Sequence, residues 1–391
     1  MKKKIVDKKQ ILLLTILCCA VYFASYVTRL SFAAVLVEII SNEGYTKSAI
    51  AIVTTALFIT YGAGQLISGV MGDRLDPKYI IFYGLLTSVA MNLLIPFCPS
   101  TGIMASVWAV NGFAQAMIWP PLVKILTNYM SNEQYKKASV RVSIASSAGT
   151  VAIYLLSPLF ITIYGWRLVF YFVAGLAAAV AVVWLVGSKK IDRYAEEFGT
   201  EPETEYVYEM DKPKERKLPF GKIVMPAGLL FIMLAIIFQG SLRDGVTTWM
   251  PTYIVDTFHL ASSTSILTAV IMPIFSIISF KITAYIHTRW LHNEVACGGA
   301  MLFSGFLASL ILMFTFSQSV ALSVFLSALI TGGMHGANLM LVCMVPARLA
   351  KYGKASTASG VLNSCTYIGS ALSTYGIALV AERFGWGATI G

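Results

Sequence analysis

Long apolar segments alternate with short polar segments along almost the whole 391-residue chain. Each apolar segment has roughly twenty residues or more, enough at 1.5 Å per residue to cross a hydrocarbon core of ~30 Å as a helix. The segments are too long for strands and lack alternation with period two, which excludes a membrane β-barrel. The pattern predicts an all-α, polytopic membrane protein with eleven spans, at 11–40, 47–71, 79–97, 102–127, 138–164, 168–187, 221–255, 262–286, 295–316, 319–347 and 355–381.

A polar stretch at 189–220 separates six spans from five. It predicts an N-terminal six-helix bundle at 1–188, a cytoplasmic linker at 189–220 and a C-terminal bundle at 221–391. The first segment could instead be a signal peptide, but its apolar run continues past Arg29 and no small-residue cleavage site follows, which favours a retained helix. The odd span count leads us to expect a truncated sequence that lacks a twelfth span; a genuine eleven-span protein is the alternative.

Composition supports a membrane protein, because 57% of the residues are hydrophobic and 12% are charged, against about a quarter charged in soluble domains. The chain has no phosphate-loop motif, no GxSxG and no credible catalytic triad, so we expect neither an enzyme nor an ATP-driven pump. Its six cysteines show no metal-binding spacing, so no metal or cofactor is expected.

The net charge of +10 first suggests a nucleic-acid partner. However, 22 of the 29 basic residues fall in segments on the side of the N-terminus, and three fall on the opposite side. This asymmetry is typical of membrane proteins, whose cytoplasmic loops carry an excess of lysine and arginine. It predicts a cytoplasmic N-terminus in the plasma or inner membrane and argues against nucleic acid. The expected partners are the lipid bilayer and a small anionic substrate, with the protein a monomer.

Four basic residues lie at apparent membrane depth: Arg29, Lys124, Arg243 and Lys281. An arginine there costs at least ~2.5–3.5 kcal/mol and usually faces a bundle interior or cavity. Arg29 and Arg243 occupy corresponding spans of the two halves, which predicts one shared site near the midplane. A guanidinium fork suits phosphate or carboxylate oxygens. The alternative for Arg243 is a pair with adjacent Asp244, although adjacent helical residues point about 100° apart.

Other charged residues in the spans are less informative. Lys124 and Lys281 lie toward span ends, where long side chains can snorkel to the interface. His335 can donate to a substrate, carry a proton or bond a neighbouring carbonyl, and these alternatives stay open. Glu38 and Asp256 lie near the outer span ends, which favours an interfacial role over proton coupling.

The sequence Gly64-Gln-Leu-Ile-Ser-Gly-Val-Met-Gly-Asp-Arg74, followed by Lys78, links spans two and three. Small residues at this spacing let helices approach closely. The stretch resembles the cytoplasmic loop motif of the major facilitator superfamily, which implies a fold of two six-helix bundles. The same resemblance implies a conformational latch formed by Gly69, Asp73 and Arg74. A tight turn with solvated charges is the alternative.

Span four contains Asn111-Gly-Phe-Ala-Gln-Ala-Met-Ile-Trp-Pro-Pro121, which resembles the organophosphate:phosphate antiporter family. Matching stretches occur in spans one, two, seven and eleven, so the resemblance covers nearly the whole chain. It implies secondary active transport of an organic anion, such as a sugar or glycerol phosphate, in exchange for inorganic phosphate by alternating access. The resemblance implies a phosphoryl site held by Arg29 and Arg243 and surrounded by Tyr22, Tyr26, Tyr61 and Tyr367, with Gln65 and His335 at further substrate-binding positions.

Three departures from that family bear on the substrate. Gln65 stands where its phosphate transporters have a lysine, Gly240 stands where they have a tyrosine, and residues 143–149 lack a histidine. The site therefore has less positive charge, which favours a less charged or bulkier anion, or a zwitterion. An ion-coupled symporter of another organic anion and a membrane sensor remain as alternatives, although the short linker favours transport over sensing.

Overall fold

The computed structural model describes residues 4–200, 228–345 and 355–391, without the side chains at 69, 70, 72–74, 123, 127, 132, 133, 136, 139, 140, 343 and 355–360. This part of the chain is almost entirely helical. A 3-10 turn, Ile95–Phe97, extends the helix Pro77–Leu94, and a π-helical turn, Leu339–Met344, extends the helix Val320–Asn338. The helices are α1 Lys8–Glu43, α2 Lys47–Arg74, α3 Pro77–Leu94, α4 Thr101–Ala116, α5 Trp119–Tyr129, α6 Asn132–Tyr164, α7 Arg167–Phe198, α8 Leu229–Phe258, α9 Ser262–Thr268, α10 Ile271–Arg289, α11 Glu294–Thr315, α12 Val320–Asn338 and α13 Ala355–Ile390, which bends at Gly385.

Polar residues between the spans fix where several helices begin. The side chains of Asp7, Thr46 and Asp76 each accept a hydrogen bond from a backbone N–H in the first turn of the helix that follows. Ser131 and Gln134 form a reciprocal capping box at the start of α6. These contacts satisfy N–H groups that have no partner within the helix. The short connections predicted from the sequence therefore work as helix caps.

Nine helical segments of the described chain are long and apolar enough to cross a membrane, and they correspond to nine of the eleven predicted spans. The fourth span differs because it consists of two helices, α4 with 16 residues and α5 with 11. The break at Met117 and Ile118 precedes Pro120 and Pro121, whose rings provide no N–H to continue the helix. The eleventh span corresponds to α13, which carries many serine, threonine and tyrosine residues.

The predicted linker begins inside a helix, since α7 continues without interruption to Phe198. Residues 189–198 therefore extend the sixth span. Beyond it, Thr200 pairs with Lys4 as an isolated antiparallel bridge. The rest of the predicted linker, residues 201–220, lies outside the described part of the chain, so the domain boundaries stay a prediction.

The two halves share one hydrophobic core at one end of the bundle. We call the end that holds Glu43, Lys47 and Asp256 the far side, and the end that holds Lys8 and Leu229 the basic side. At the far side a single cluster of buried residues includes members of both halves, among them Leu36, Ile39, Ile50, Val53, Trp249, Tyr253, Ile266 and Ala378.

At the basic side the described residues form two separate cores. The N-terminal core includes Leu14, Leu85 and Leu126, and the C-terminal core includes Ile236 and Leu362. Among the described residues, no apolar cluster joins the halves at this end. In the described part of the chain, one apolar core therefore spans both halves at the far side, whereas the apolar cores at the basic side are separate.

Polar contacts between the halves reinforce the closed end. The Lys47 ammonium lies 3.0 Å from the Asp256 carboxylate, which also accepts a hydrogen bond of 2.8 Å from the Trp386 indole N–H. The backbone N–H of Ser48 donates to the Glu382 carboxylate at 2.9 Å. Asp256 therefore works at the far-side boundary between the halves, at the outer end of α8.

Candidate functional site

Arg29, in the middle of α1, lies among aromatic rings. Its guanidinium carbon is 4.2 Å from the ring centre of Tyr26 and 5.2 Å from that of Tyr61. One terminal nitrogen lies 3.5 Å from the Tyr367 hydroxyl, and the buried Nε has no hydrogen-bond partner. Within the described chain, no carboxylate forms an ion pair with Arg29. The ring faces attract its charge, and no described carboxylate competes with an anion for its donors.

The sequence spacing on α1 explains how this environment forms. Tyr22, Tyr26 and Arg29 follow one another at helical spacings of four and three, so they share a face. The rings of Tyr22 and Tyr26 meet edge to face with their centres 5.1 Å apart. Trp119, at the start of α5, packs 4.9 Å from Tyr22. The break between α4 and α5 therefore places an indole against this group of tyrosines.

Tyr367 of α13 connects the two arginines. Its ring centre is 4.4 Å from that of Tyr61 and 5.7 Å from the guanidinium carbon of Arg243, and its hydroxyl faces Arg29 at 3.5 Å. The structure thus brings residues from spans one, two, seven and eleven together around one tyrosine. The sequence analysis expects this proximity, and the role of these residues as a substrate site near the midplane stays a prediction.

Arg243 differs from Arg29 because it has an acidic partner. Its Nε donates to one oxygen of Asp244 at 2.8 Å, and a terminal nitrogen donates to the other at 2.7 Å. The Ser370 hydroxyl donates to the same carboxylate at 2.6 Å. Arg243 is 8% exposed. The pair between neighbouring residues, the alternative for Arg243 in the sequence analysis, is therefore present and bidentate.

Residues of α12 complete the C-terminal wall of the site. The remaining terminal nitrogen of Arg243 lies 3.5 Å from the amide oxygen of Asn338. His335, three residues earlier and on the same helix face, packs edge to face against Phe280 of α10 with ring centres 5.6 Å apart. His335 thus lies beside the site on the helix that reaches Arg243.

Gln65 lies one turn of α2 beyond Tyr61, in the contact between α2 and α13. Its amide oxygen accepts from the Asn363 amide at 3.3 Å, while its buried amide nitrogen has no partner. Close by, the Ser364 hydroxyl donates to the carbonyl of Gly62 at 3.1 Å. A neutral side chain therefore occupies the position at which the resembling phosphate transporters carry a lysine.

The loss of a tyrosine at Gly240 opens no extra volume. A Cβ atom at Gly240 would lie 2.0 Å from the carbonyl oxygen of Thr366, and one at Gly369 would lie 1.8 Å from the carbonyl oxygen of Ile237. The backbones of α8 and α13 are therefore in direct contact, with the glycines as the points of closest approach. This position gives no support to a bulkier ligand, so the reduced positive charge is the departure that matters.

The predicted latch stays untested by the structure. Gly69, Asp73 and Arg74 belong to the last turns of α2, but their side chains lie outside the described residues. On the next helix, Lys78 pairs with Asp76 at 3.2 Å and contacts Asp192 of α7. Of the two lysines at apparent membrane depth, Lys281 is exposed and Lys124 is half-buried.

Three residues that contact Arg243 or its partner escaped the sequence analysis as site residues: Asp244, Ser370 and Asn338. Asp244 entered it only as a competing partner for Arg243. Ser370 lies three residues after Tyr367 on α13, and Asn338 lies three residues after His335 on α12, so helical spacing from the chosen residues could have found both. Within the described chain, no cluster of three or more metal-ligating side chains occurs.

Comparison with known proteins places this geometry in context. Residues 18–374 match the profile of the Major Facilitator Superfamily. The chain is 25% identical to the "Probable hexose phosphate transport protein" of Chlamydia muridarum, over 93% of this chain and 84% of that one. It is 24% identical to the "Glycerol-3-phosphate transporter" of Bacillus subtilis, over 93% and 85%. It is 26% identical to the "Membrane sensor protein UhpC" of Salmonella typhimurium, over 93% and 84%.

Solved structures show the same fold. A bacterial homolog of the human lysosomal transporter Spinster, in an inward-facing and unoccupied conformation, aligns with a TM-score of 0.77 at 15% identity, over 97% of this chain and 84% of that one. The nucleoside transporter NupG aligns with a TM-score of 0.68 at 13% identity, over 96% and 95%. The predicted all-α fold and the resemblance to the organophosphate family are confirmed, and the family and these relatives are not enzymes.

Proposed function

Because the chain belongs to the major facilitator superfamily, we propose that it is a secondary active transporter of a small organic anion. The substrate class is an organophosphate such as a sugar or glycerol phosphate, exchanged for inorganic phosphate by alternating access. Relatives named as hexose phosphate and glycerol-3-phosphate transporters support this class. The tyrosine-lined site with two arginines supplies the chemistry that recognises phosphate oxygens.

The observation that carries the proposal is the Arg29 guanidinium, which has no carboxylate partner among the described residues, beside Arg243 and Tyr367. Arg29 belongs to the N-terminal half, whereas Arg243 and Tyr367 belong to the C-terminal half. An anion bound between the two arginines contacts both halves at once. Its affinity then depends on how the halves are arranged, which is the condition for a ligand to shift a conformational equilibrium.

Orientation follows from the distribution of basic residues, which assigns the basic side to the cytoplasm. The shared core at the far side and the divided cores at the basic side then correspond to a state that faces the cytoplasm.

The test is counterflow in liposomes that contain the purified protein and are loaded with phosphate. We expect labelled phosphate to exchange against external phosphate, hexose 6-phosphate or glycerol 3-phosphate. Arg29→Gln should abolish exchange. Arg167→Gln is the matched control, because Arg167 is 48% exposed and pairs with Glu43 at the far side. Full phosphate exchange by Arg29→Gln would contradict the proposed site.

Two outcomes of the same experiment select the alternatives. Uptake driven by an ion gradient without any counter-substrate indicates an ion-coupled symporter. Specific binding without flux indicates a membrane sensor, a class represented among the relatives by the sensor protein UhpC. Phosphate-dependent counterflow supports the exchanger over both.

A further inference from the structure

Asp244 is a carboxylate inside a site that should attract anions. It belongs to the same turn of α8 as Arg243 and lies in the C-terminal wall, where the Ser370 hydroxyl holds it from α13. A negative charge at this place repels an anionic ligand, so its presence in the site needs an explanation. Its contacts show which function it can have.

The carboxylate occupies one edge of the Arg243 fork. Both of its oxygens accept from Arg243, at 2.8 and 2.7 Å, and one also accepts from Ser370 at 2.6 Å. The donors of Arg243 left for a ligand are those on the terminal nitrogen that faces Asn338 at 3.5 Å. Arg29, in contrast, has no carboxylate partner among the described residues, and one of its terminal nitrogens makes a long hydrogen bond of 3.5 Å to the Tyr367 hydroxyl. The primary anchor for an anion is therefore Arg29, with Arg243 contributing from the side.

Two guanidinium groups and one carboxylate leave a single positive charge in the described site. A ligand with one negative charge neutralises this charge, whereas a ligand with two leaves an uncompensated negative charge in a buried place. A doubly charged ligand could recruit both arginines fully only by displacing Asp244 from Arg243. Displacement would leave that carboxylate buried without its partner, which is strongly unfavourable.

We propose that Asp244 sets the charge class of the ligand, so that the site selects anions with one negative charge, such as a singly ionised phosphate ester, over doubly charged forms. This inference rests on the proposed function and specifies the substrate class of the same site. It also assigns a role to the departure at Gln65: a neutral residue there keeps the site at one net positive charge.

The test compares esters that share a shape but differ in charge. Glucose 6-sulfate and glycerol 3-sulfate carry one negative charge, while the corresponding phosphate esters carry close to two at about pH 8, since their second pKa is about 6. Imidazole groups such as that of His335 are ordinarily neutral at this pH. Binding is measured as ligand-induced thermal stabilisation of the purified protein, and independently as inhibition of labelled phosphate counterflow.

For the natural sequence we expect each sulfate ester to bind at least as tightly as its phosphate counterpart. Asp244→Asn keeps the shape and removes the negative charge, so the phosphate esters should gain about tenfold or more relative to the sulfate esters, or about 1.4 kcal/mol. The double variant Arg243→Gln/Asp244→Asn has one positive charge again, so the original ranking should return. Glu38→Gln is the matched acid-to-amide control away from the site and should leave the ranking unchanged.

A clear preference for phosphate esters in the natural protein that Asp244→Asn does not alter would overturn the role of Asp244, while leaving the proposed transport function standing. Failure of all four esters to bind either protein would overturn the proposed function, and this inference with it. Should Asp244→Asn not fold, the double variant and the natural protein still supply the comparison. A double variant with a strong preference for the phosphate esters would then contradict the inference.

Discussion

The two arginines of the site should respond in opposite ways to the same substitution. Arg29→Gln removes a charge that has aromatic neighbours and no ion-pair partner in the described structure. Arg243→Gln removes one partner of a bidentate pair and leaves the Asp244 carboxylate with the Ser370 hydroxyl alone. Anion binding should fall in both variants, but the stability of the ligand-free protein should separate them.

The magnitudes follow from these contacts. Breaking a buried ion pair by removal of one partner costs about 3–5 kcal/mol, because the other charge stays buried. Arg29→Gln loses two cation–π contacts of about 0.5–2 kcal/mol each. It also regains the desolvation cost of a half-buried cation that has no ion-pair partner among the described residues. We therefore expect Arg243→Gln to lower the melting temperature by several degrees and Arg29→Gln to leave it unchanged or raise it.

Thermal unfolding of the purified proteins in one detergent, followed by tryptophan fluorescence without any anion present, measures this difference. Arg243→Gln/Asp244→Asn is the matched control, since removal of both charges should restore most of the lost stability. Equal losses of stability in the two single variants would refute the distinction between a paired and an unpaired arginine. A double variant no more stable than Arg243→Gln would refute the buried-pair explanation.

Three further predictions concern packing, the closed end and charge. Gly240→Ala should destabilise the protein in thermal unfolding, because the added methyl group forces α8 away from α13. Gly376→Ala has open space around it and should be neutral or stabilising by up to about 1 kcal/mol in the same measurement. Hydrogen bonds from Ser48 hold the pKa of the Glu382 carboxyl below its ordinary value. The contribution of the ionised carboxylate to far-side closure is therefore complete above the ordinary pKa and is lost as the pH falls through the lowered pKa. Glu382→Gln should lower the free energy of opening the far side by at most about 1 kcal/mol. Spin labels on the two halves should report this as a larger population of long distances, and an unchanged distance distribution would contradict this role. Gln65→Lys should raise the affinity for the doubly charged phosphate esters relative to the sulfate esters in the thermal-shift assay. An unchanged order of affinities would show that position 65 does not contribute to the charge of the site.

Most of the spans could be predicted because each must satisfy its backbone polar groups within a helix and present apolar side chains to lipid. The same rule made the two midplane arginines conspicuous, and helical spacing linked Arg29 to its tyrosines. The break in span four was less visible. Pro120 and Pro121 indicate an interruption, but the structure was needed to show that it divides the span and places Trp119 against Tyr22.

What the sequence could not provide was the balance between interactions of similar strength. Helical geometry alone points adjacent side chains apart, yet the long Arg243 side chain reaches round to Asp244 and binds it by two hydrogen bonds. Likewise, the sequence shows a glycine in place of a tyrosine at 240, but not that the backbone of another helix occupies the space beside it. Both outcomes depend on residues about 130 positions away in the chain, such as Ser370 relative to Gly240.

The unpaired charge of Arg29 has an electrical consequence. With Arg243 and Asp244 cancelling, an empty site holds one positive charge in the middle of the membrane, where an elementary charge moved across the full membrane potential couples to it by about 2.3 kcal/mol per 100 mV. A site occupied by a ligand with a single negative charge is neutral, so the occupied protein changes its accessible side without moving net charge. The empty carrier would therefore reorient against a desolvation and voltage barrier that the occupied one avoids. Under the proposed function, this barrier favours obligatory exchange over one-way leakage, and its origin is one guanidinium that has no carboxylate partner among the described residues.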